Sequence, residues 1–186
     1  DLLLSEVKNI MSEKGINAFL LEVLENNTSA IELYKKHGFS IRRKFNCYKL
    51  SEVSGKGRSI DYGISGNLEI EGKIEDYCSF EPSWQNAYES YKNMKQHYNL
   101  FRWEKKGSLI GYAIIHKYNG NIMQIGIDPA YRSFEVLSII INDLFSHTHR
   151  PELKYLNVEE GCEMDSLLKG VNQKIIIRQY EMIYKK

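Results

Sequence analysis

The stretch NNTSAIELYKKHGF, residues 26–39, carries a phenol, that of Tyr34, on a short helix-forming run. A phenol held at a cleft can hand a proton to a departing anion, whereas the same ring on an apolar stripe is a core residue. Spacing alone favours packing. Ala30, Leu33, Tyr34 and His37 line one face of the predicted helix, Asn27 is accounted for as its N-cap, and Gly38 supplies a left-handed stop before Phe39. Other reactive groups are weaker candidates. Glu25, Glu159 and Glu160 stand at predicted strand ends, where acidic side chains are more often solvated than basic in function, so none is given a role. His37, His97, His116, His147 and His149 form no HExxH-type pair, and no metal site is expected. Cys47, Cys78 and Cys162, odd in number and without a CxxC, fit a reducing cytoplasm better than a disulfide framework. The basic run Arg42, Arg43, Lys44 reads as a charged, solvated strand edge rather than a phosphate or nucleic-acid contact. No GxSxG, P-loop lysine or Rossmann fingerprint is present.

These residues need elements to position them. The chain of 186 residues is 42% hydrophobic and 26% charged, an ordinary soluble composition with room for one domain or a domain plus a fragment. A formal charge of +1 gives no global pull toward nucleic acid or acidic membranes. DLLLSEVKNIMSEKG is too interrupted by charge for a signal peptide or membrane span, and VLSIIINDLF is too short to cross a bilayer. Leu3, Leu4, Val7, Ile10 and Met11 recur at helical spacing before Gly15, so the sequence starts inside a helical pattern without Met and is expected to have lost upstream residues. INAFLLEVL reads as a strand, the Tyr34 helix follows, and residues 39–50 form a second strand.

Residues 51–58, SEVSGKGR, read as a linker, and a second unit begins at residue 59 with the strand and turn chemistry of SIDYGISGNLEI. EPSWQNAYESYKNMKQHY is predicted to be one helix with Trp84, Tyr88, Tyr91 and Met94 as its core stripe. NLFRWEKKG, SLIGYAIIHKY and NIMQIGIDP form an antiparallel meander, followed by helix, strand, short helix and a long last strand. Residues 1–50 and 133–186 thus share one element order, a weak internal repeat.

At LEVLENNTSAIELYKKHGF the chain resembles the GCN5-related N-acetyltransferase (GNAT) superfamily: Leu21, Glu22, Val23, Asn27, Ala30, Leu33, Tyr34, Gly38 and Phe39 hold the order and spacing of its signature. IGYAII and IMQIGIDPAYR are similar to its cofactor-side strand and the entry to its phosphate loop. The resemblance implies an α/β fold, a mixed and mostly antiparallel sheet with helices on both faces, in a tandem arrangement: residues 1–50 as the C-terminal half of a first domain, and residues 59–186 as a second, degenerate one. It also implies acetyl-CoA as co-substrate. In this family the fourth and fifth strands splay, the thioester enters the gap, and a turn of the form Q/R-x-x-G-x-G/A wraps the diphosphate at a helix N-terminus. Carried over by position, Tyr34 becomes the general acid for the departing thiolate and Asn27 the contact to the pantetheine arm, with Ala30 beside them in the cofactor site.

The match is incomplete in two places. The phosphate turn of the first domain is expected ahead of Asp1. In the second, RSFEVL places Glu135 and Leu137 where the family has glycines, which is expected to obstruct and repel a diphosphate. The later helix CEMDSLLKGV also has no tyrosine matching Tyr34 and no capping Asn. The expected function is acetyl transfer from acetyl-CoA to a primary amine of a small molecule or peptide in the cytoplasm. No metal, nucleic acid or membrane partner is expected, and a homodimer is left open. The alternative is a catalytically silent module that kept the fold.

Overall fold

Leu2–Glu13 forms the first helix (α1) and ends at Gly15, whose φ of +66° lies in the left-handed region that glycine enters without strain. The structure, a computed structural model, describes residues 2–54, 63–66 and 74–185. The strands are β1 (Ala18–Leu24), β2 (Ser40–Leu50), β3 (Gly63–Gly66), β4 (Tyr98–Lys105), β5 (Ser108–His116), β6 (Asn121–Ile127), β7 (Leu153–Glu159) and β8 (Lys174–Lys185). The remaining α-helices are α2 (Thr28–Lys36), α3 (Tyr88–Asn93), α4 (Phe134–Thr148) and α5 (Glu163–Gly170). The fold is α/β, and the order α1-β1-α2-β2 recurs as α4-β7-α5-β8. Of the linker read at 51–58, residues 51–54 carry no regular structure and 55–58 lie outside the described residues.

The chain forms two compact units, Asp1–Phe45 with Ile177–Lys186 and Asn46–Ile176, so β2 and β8 each contribute to both. In the first unit the strand order is β1-β8-β2, with β1 and β8 antiparallel from Ala18 opposite Lys185 to Leu24 opposite Gln179. Alternation puts Phe19, Leu21 and Val23 with Tyr180, Met182 and Tyr184 on one face, where they pack against Ile31, Phe39, Ala30 and Tyr34. Ile31, 6% exposed, belongs to the core although the predicted stripe omits it. A helix laid over two strands buries a face wider than one line of residues. The opposite face of β8 holds Glu181, fully buried, with Arg42 Nη1 donating at 2.8 Å and Arg43 Nε at 2.9 Å. Lys44 pairs with Glu25 at 2.6 Å. The basic run is therefore paired within its own unit and lies on an inner strand rather than an edge, with Arg42 still exposed and Arg43 and Lys44 half-buried, because a buried carboxylate draws nearby cations.

In the second unit the order is β2-β7-β6-β5-β4-β3. β3 to β6 are antiparallel neighbours, as the meander predicts, and β6 and β7 are parallel. Leu137, Ile140, Ile141 and Leu144 of α4 and Leu168 of α5 fill one face with Tyr48, Ile125, Ile127 and Val158. Tyr91, Leu100, Tyr112, Ile114 and Met123 fill the other. The helix predicted through residues 81–98 is broken: Trp84–Asn86 and Lys95–His97 are single 3-10 turns around the short α3. Ala87 is extended (φ −64°, ψ 149°), and the Asn86 carbonyl that would continue the helix accepts instead from the Gln124 side chain. Of the predicted stripe Tyr91 is buried, but Trp84 is 54% and Met94 39% exposed.

Two consequences are measurable. A Cβ at Gly126 would lie 2.2 Å from the ring of Tyr112, which is fully buried and anchored by its hydroxyl to Gln124 at 2.7 Å. Gly126→Ala should therefore cost about 1–3 kcal/mol in urea denaturation. His116 stacks edge-on to Tyr98, with centroids 5.1 Å apart, and lies parallel to His97 at 6.3 Å. Burial first, then the charges of His97 and Arg150, hold its pKa below the ordinary 6.5. The folded protein thus releases this proton more readily than the unfolded chain, so the stability it contributes is complete above pH 6.5 and falls as pH drops toward the lowered value. Thermal melts from pH 7.5 down to 5 should show this loss, and His116→Asn should remove its share while leaving that of His37, which is shifted the same way.

Candidate active site

Asn27, Ala30 and Tyr34 stand three and four residues apart, which places them on one face of α2. Asn27 caps the helix: its Oδ1 accepts from the Ala30 amide at 3.2 Å and from Ser29 Oγ at 3.1 Å. Its Nδ2 makes no hydrogen bond among the described residues. Ala30 is half-buried and presents no polar side-chain group. Tyr34 is also half-buried, its ring 5.8 Å from that of Phe39 and packed against the small core of the first unit. The Tyr34 hydroxyl has no hydrogen-bond partner among the described residues. Packing thus explains the ring and leaves the hydroxyl unexplained. β1 leads into this helix and is the last strand of its order, so its second edge has no strand partner among the described residues.

Glu25, just past the end of β1, stands two residues before Asn27. Its Oε1 accepts from Lys44 at 2.6 Å and from the Tyr180 hydroxyl at 3.2 Å, and the Lys44 bond holds its pKa below the usual carboxylate range. A carboxylate stabilised in its charged form is a weak base. Among the described residues no group of three or more His, Cys, Asp or Glu is disposed to hold a metal, and no helix is long and apolar enough to cross a membrane.

The second unit repeats the strand geometry with different occupants. Met123 is an extra residue in β6, between Ile122 opposite Ile115 and Gln124 opposite Ile114. Pairing with β7 stops there: Asn121 faces Lys154, Ile122 faces Tyr155, and the parallel strands then part. Three of the backbone groups so freed are taken by side chains of the same unit. The Tyr155 hydroxyl accepts from the Ile125 amide at 3.1 Å. Asn86 Nδ2 donates to the Leu156 carbonyl at 3.1 Å, and Arg132 Nε to the Ile127 carbonyl at 2.9 Å. Arg132 also bridges to Glu163 of α5 at 2.9 Å, and the Phe134 ring lies where a Cβ on Gly170 would meet it at 2.1 Å. Helices α4 and α5 are clasped together.

The turn ahead of α4 differs from expectation in one respect. Leu137 is fully buried in the core, so its side chain does not stand in the turn. The exposed first-turn positions are Phe134 and Glu135, and Ser133 Oγ already accepts from the Val136 amide at 3.2 Å. Cys162 takes the capping role on α5 that an asparagine takes on α2, its Sγ accepting from the Asp165 amide at 3.3 Å. Sequence reasoning missed Tyr155, Asn86 and Arg132, because each acts on a backbone group brought near only by the fold and no local spacing marks it.

No protein-family model matches the sequence, and no curated protein matches it. Solved structures do. The chain is similar to a GCN5-related N-acetyltransferase from Sphaerobacter thermophilus, with a TM-score of 0.56 and 14% identity over 90% of this chain and 59% of that one. It is similar to a tandem GNAT protein from the clavulanic acid biosynthesis pathway, with a TM-score of 0.67 and 10% identity over 99% and 69%. A GCN5-related N-acetyltransferase from Kribbella flavida gives a TM-score of 0.61 and 9% identity over 96% and 72%. At such identities the likeness is one of fold, and the chain spans 59% of the length of the first of these proteins.

Proposed function

From the fold that the chain shares with the GCN5-related N-acetyltransferases, we propose that it serves in moving an acetyl group from acetyl-CoA to a primary amine of a small molecule or peptide. The observation that carries this reading is the hydroxyl of the half-buried Tyr34, without a partner among the described residues, on the same helix face as the uncommitted Nδ2 of Asn27. When bound, acetyl-CoA supplies the activated acyl carbon. Asn27 Nδ2 donates to an amide carbonyl of the pantetheine arm while Oδ1 keeps the helix capped. Ala30, lacking a long side chain, lets the arm lie close to α2. With acetyl-CoA bound, the Tyr34 hydroxyl would hand its proton to the sulfur as the carbon–sulfur bond breaks, and water carrying the amine's proton would return one to the phenolate. Glu25 is held in its ion pair and takes no proton, and the proton of the attacking amine leaves through water. Three cysteines that form no disulfide accord with a cytoplasmic setting.

The test is calorimetric titration of acetyl-CoA into the full-length protein together with thiol release in the presence of small primary amines and amine-bearing peptides. Saturable binding with amine-dependent thiol release is expected. Absence of both would remove the reading. A second reading, a catalytically silent module, is favoured for the second unit by the side chains that fill its strand gap, and binding without thiol release would extend it to the whole protein.

A further inference from the structure

On the α3 side of the parted strands in the second unit lies a pocket of about 310 Å³, bounded by Trp84, Met94, Tyr98, His116, Asn121 and Leu156 among others. We propose that this pocket binds a small, uncharged ring bearing a carboxamide and holds it without acylating it. The charge of the ligand follows from the walls. None of the twelve described residues lining the pocket is Asp, Glu, Lys or Arg, and burial favours the neutral form of His116. An ion would enter without a partner for its charge. The ring follows from Trp84, a residue 54% exposed that lines the pocket together with Tyr98 and His116.

The carboxamide follows from which polar groups are spent. Asn86 Nδ2 is committed to the Leu156 carbonyl, and Asn119 Oδ1 to the Asn121 amide at 2.9 Å. The side chains of Gln85 and Asn121 make no hydrogen bond among the described residues. Each offers a donor and an acceptor together, the pattern that another carboxamide matches with two bonds. The wall behind argues against transfer: Tyr155, Asn86 and Arg132 already bond the Ile125 amide and the Leu156 and Ile127 carbonyls, strand groups that a thioester arm would otherwise meet between β6 and β7. The inference concerns the second unit alone and does not depend on acetyl transfer at α2.

Nicotinamide and N-acetylglucosamine, an aromatic and a saccharide ring each carrying an uncharged amide, are the probes, titrated into the whole chain by calorimetry and Trp84 emission. Trp103, 2% exposed, gives a constant background. Saturation with a midpoint near or below about 1 mM is expected for a ligand of this size. Trp84→Ala and Asn121→Ala should each weaken binding at least about tenfold with unchanged far-UV circular dichroism. Saturation by one probe only identifies its ring type, and saturation by both identifies the shared amide. The proposal is overturned if neither probe saturates, if either variant binds as the parent does, if the cation benzylamine binds as well as the probes, or if acetyl-CoA displaces them. Failure of acetyl-CoA to bind elsewhere would count against the transfer reading and leave this result standing.

Discussion

Replacing Tyr34 with phenylalanine should lower kcat by about 10²- to 10⁴-fold, the usual worth of a positioned proton donor, and leave the acetyl-CoA Kd within about twofold. The two effects separate because the two parts of the side chain have different surroundings. The ring rests 5.8 Å from Phe39 and belongs to the core around Val23, Ile31 and Met182, contacts that phenylalanine keeps. The hydroxyl is bonded to nothing among the described residues, so its removal breaks no folded-state interaction and should change stability by no more than about 0.5 kcal/mol. A loss in kcat with unchanged Kd and unchanged melting would therefore report on the leaving thiolate. Unchanged kcat would assign Tyr34 to packing, the role its spacing first suggests.

That ambiguity marks the limit of what the sequence carries. α2 was legible to its ends because every signal is local: the Asn27 cap, the run to Lys36 and the left-handed Gly38 at φ +81° lie within a dozen residues. The meander was legible because its strands are neighbours joined by short turns. The helix through residues 81–98 was misread because Asn86 and Ser83 bond to β6 and β7, more than 30 positions away, and these bonds outweigh helical propensity. The same distance hid the closed gap of the second unit. Glu135 is exposed at the first turn of α4, but Leu137, two residues on, was misjudged, since only the fold shows that it points into the core. In the candidate site, Asn27, Ala30 and Tyr34 were singled out by the resemblance and not by spacing, which favours packing, while the pairing of Glu25 with Lys44 and Tyr180 needed the strands to be placed.

The largest stability loss is expected at Asp165, where an acid in the first turn of α5 is fully buried. Its carboxylate accepts from Asn46 Nδ2 at 2.8 Å, the Gly161 amide at 2.9 Å, Lys169 Nζ at 2.7 Å and the Tyr48 hydroxyl. Burial alone would raise its pKa, but the bonds from Lys169, Tyr48, Gly161 and Asn46 outweigh burial and hold it below the ordinary 3.8. Asp165→Ala takes the carboxylate acceptor from the buried Asn46 amide, removes the shorter of the Tyr48 hydroxyl's two bonds to Asp165 and releases the Gly161 amide ahead of α5, a cost of about 3–5 kcal/mol. Lys169→Ala should cost under about 1 kcal/mol, because that cation is half-exposed and its charge is screened. Urea denaturation followed by fluorescence should order the variants in this way. Because the folded pKa is depressed, the contribution of Asp165 is present above pH 3.8 and lost as pH falls through the lowered folded value, so the gap between parent and variant should close in acid. Asp165→Ala matching Lys169→Ala at neutral pH would mean that the four bonds are held in place by the packing around them and do not themselves hold α5 to β2.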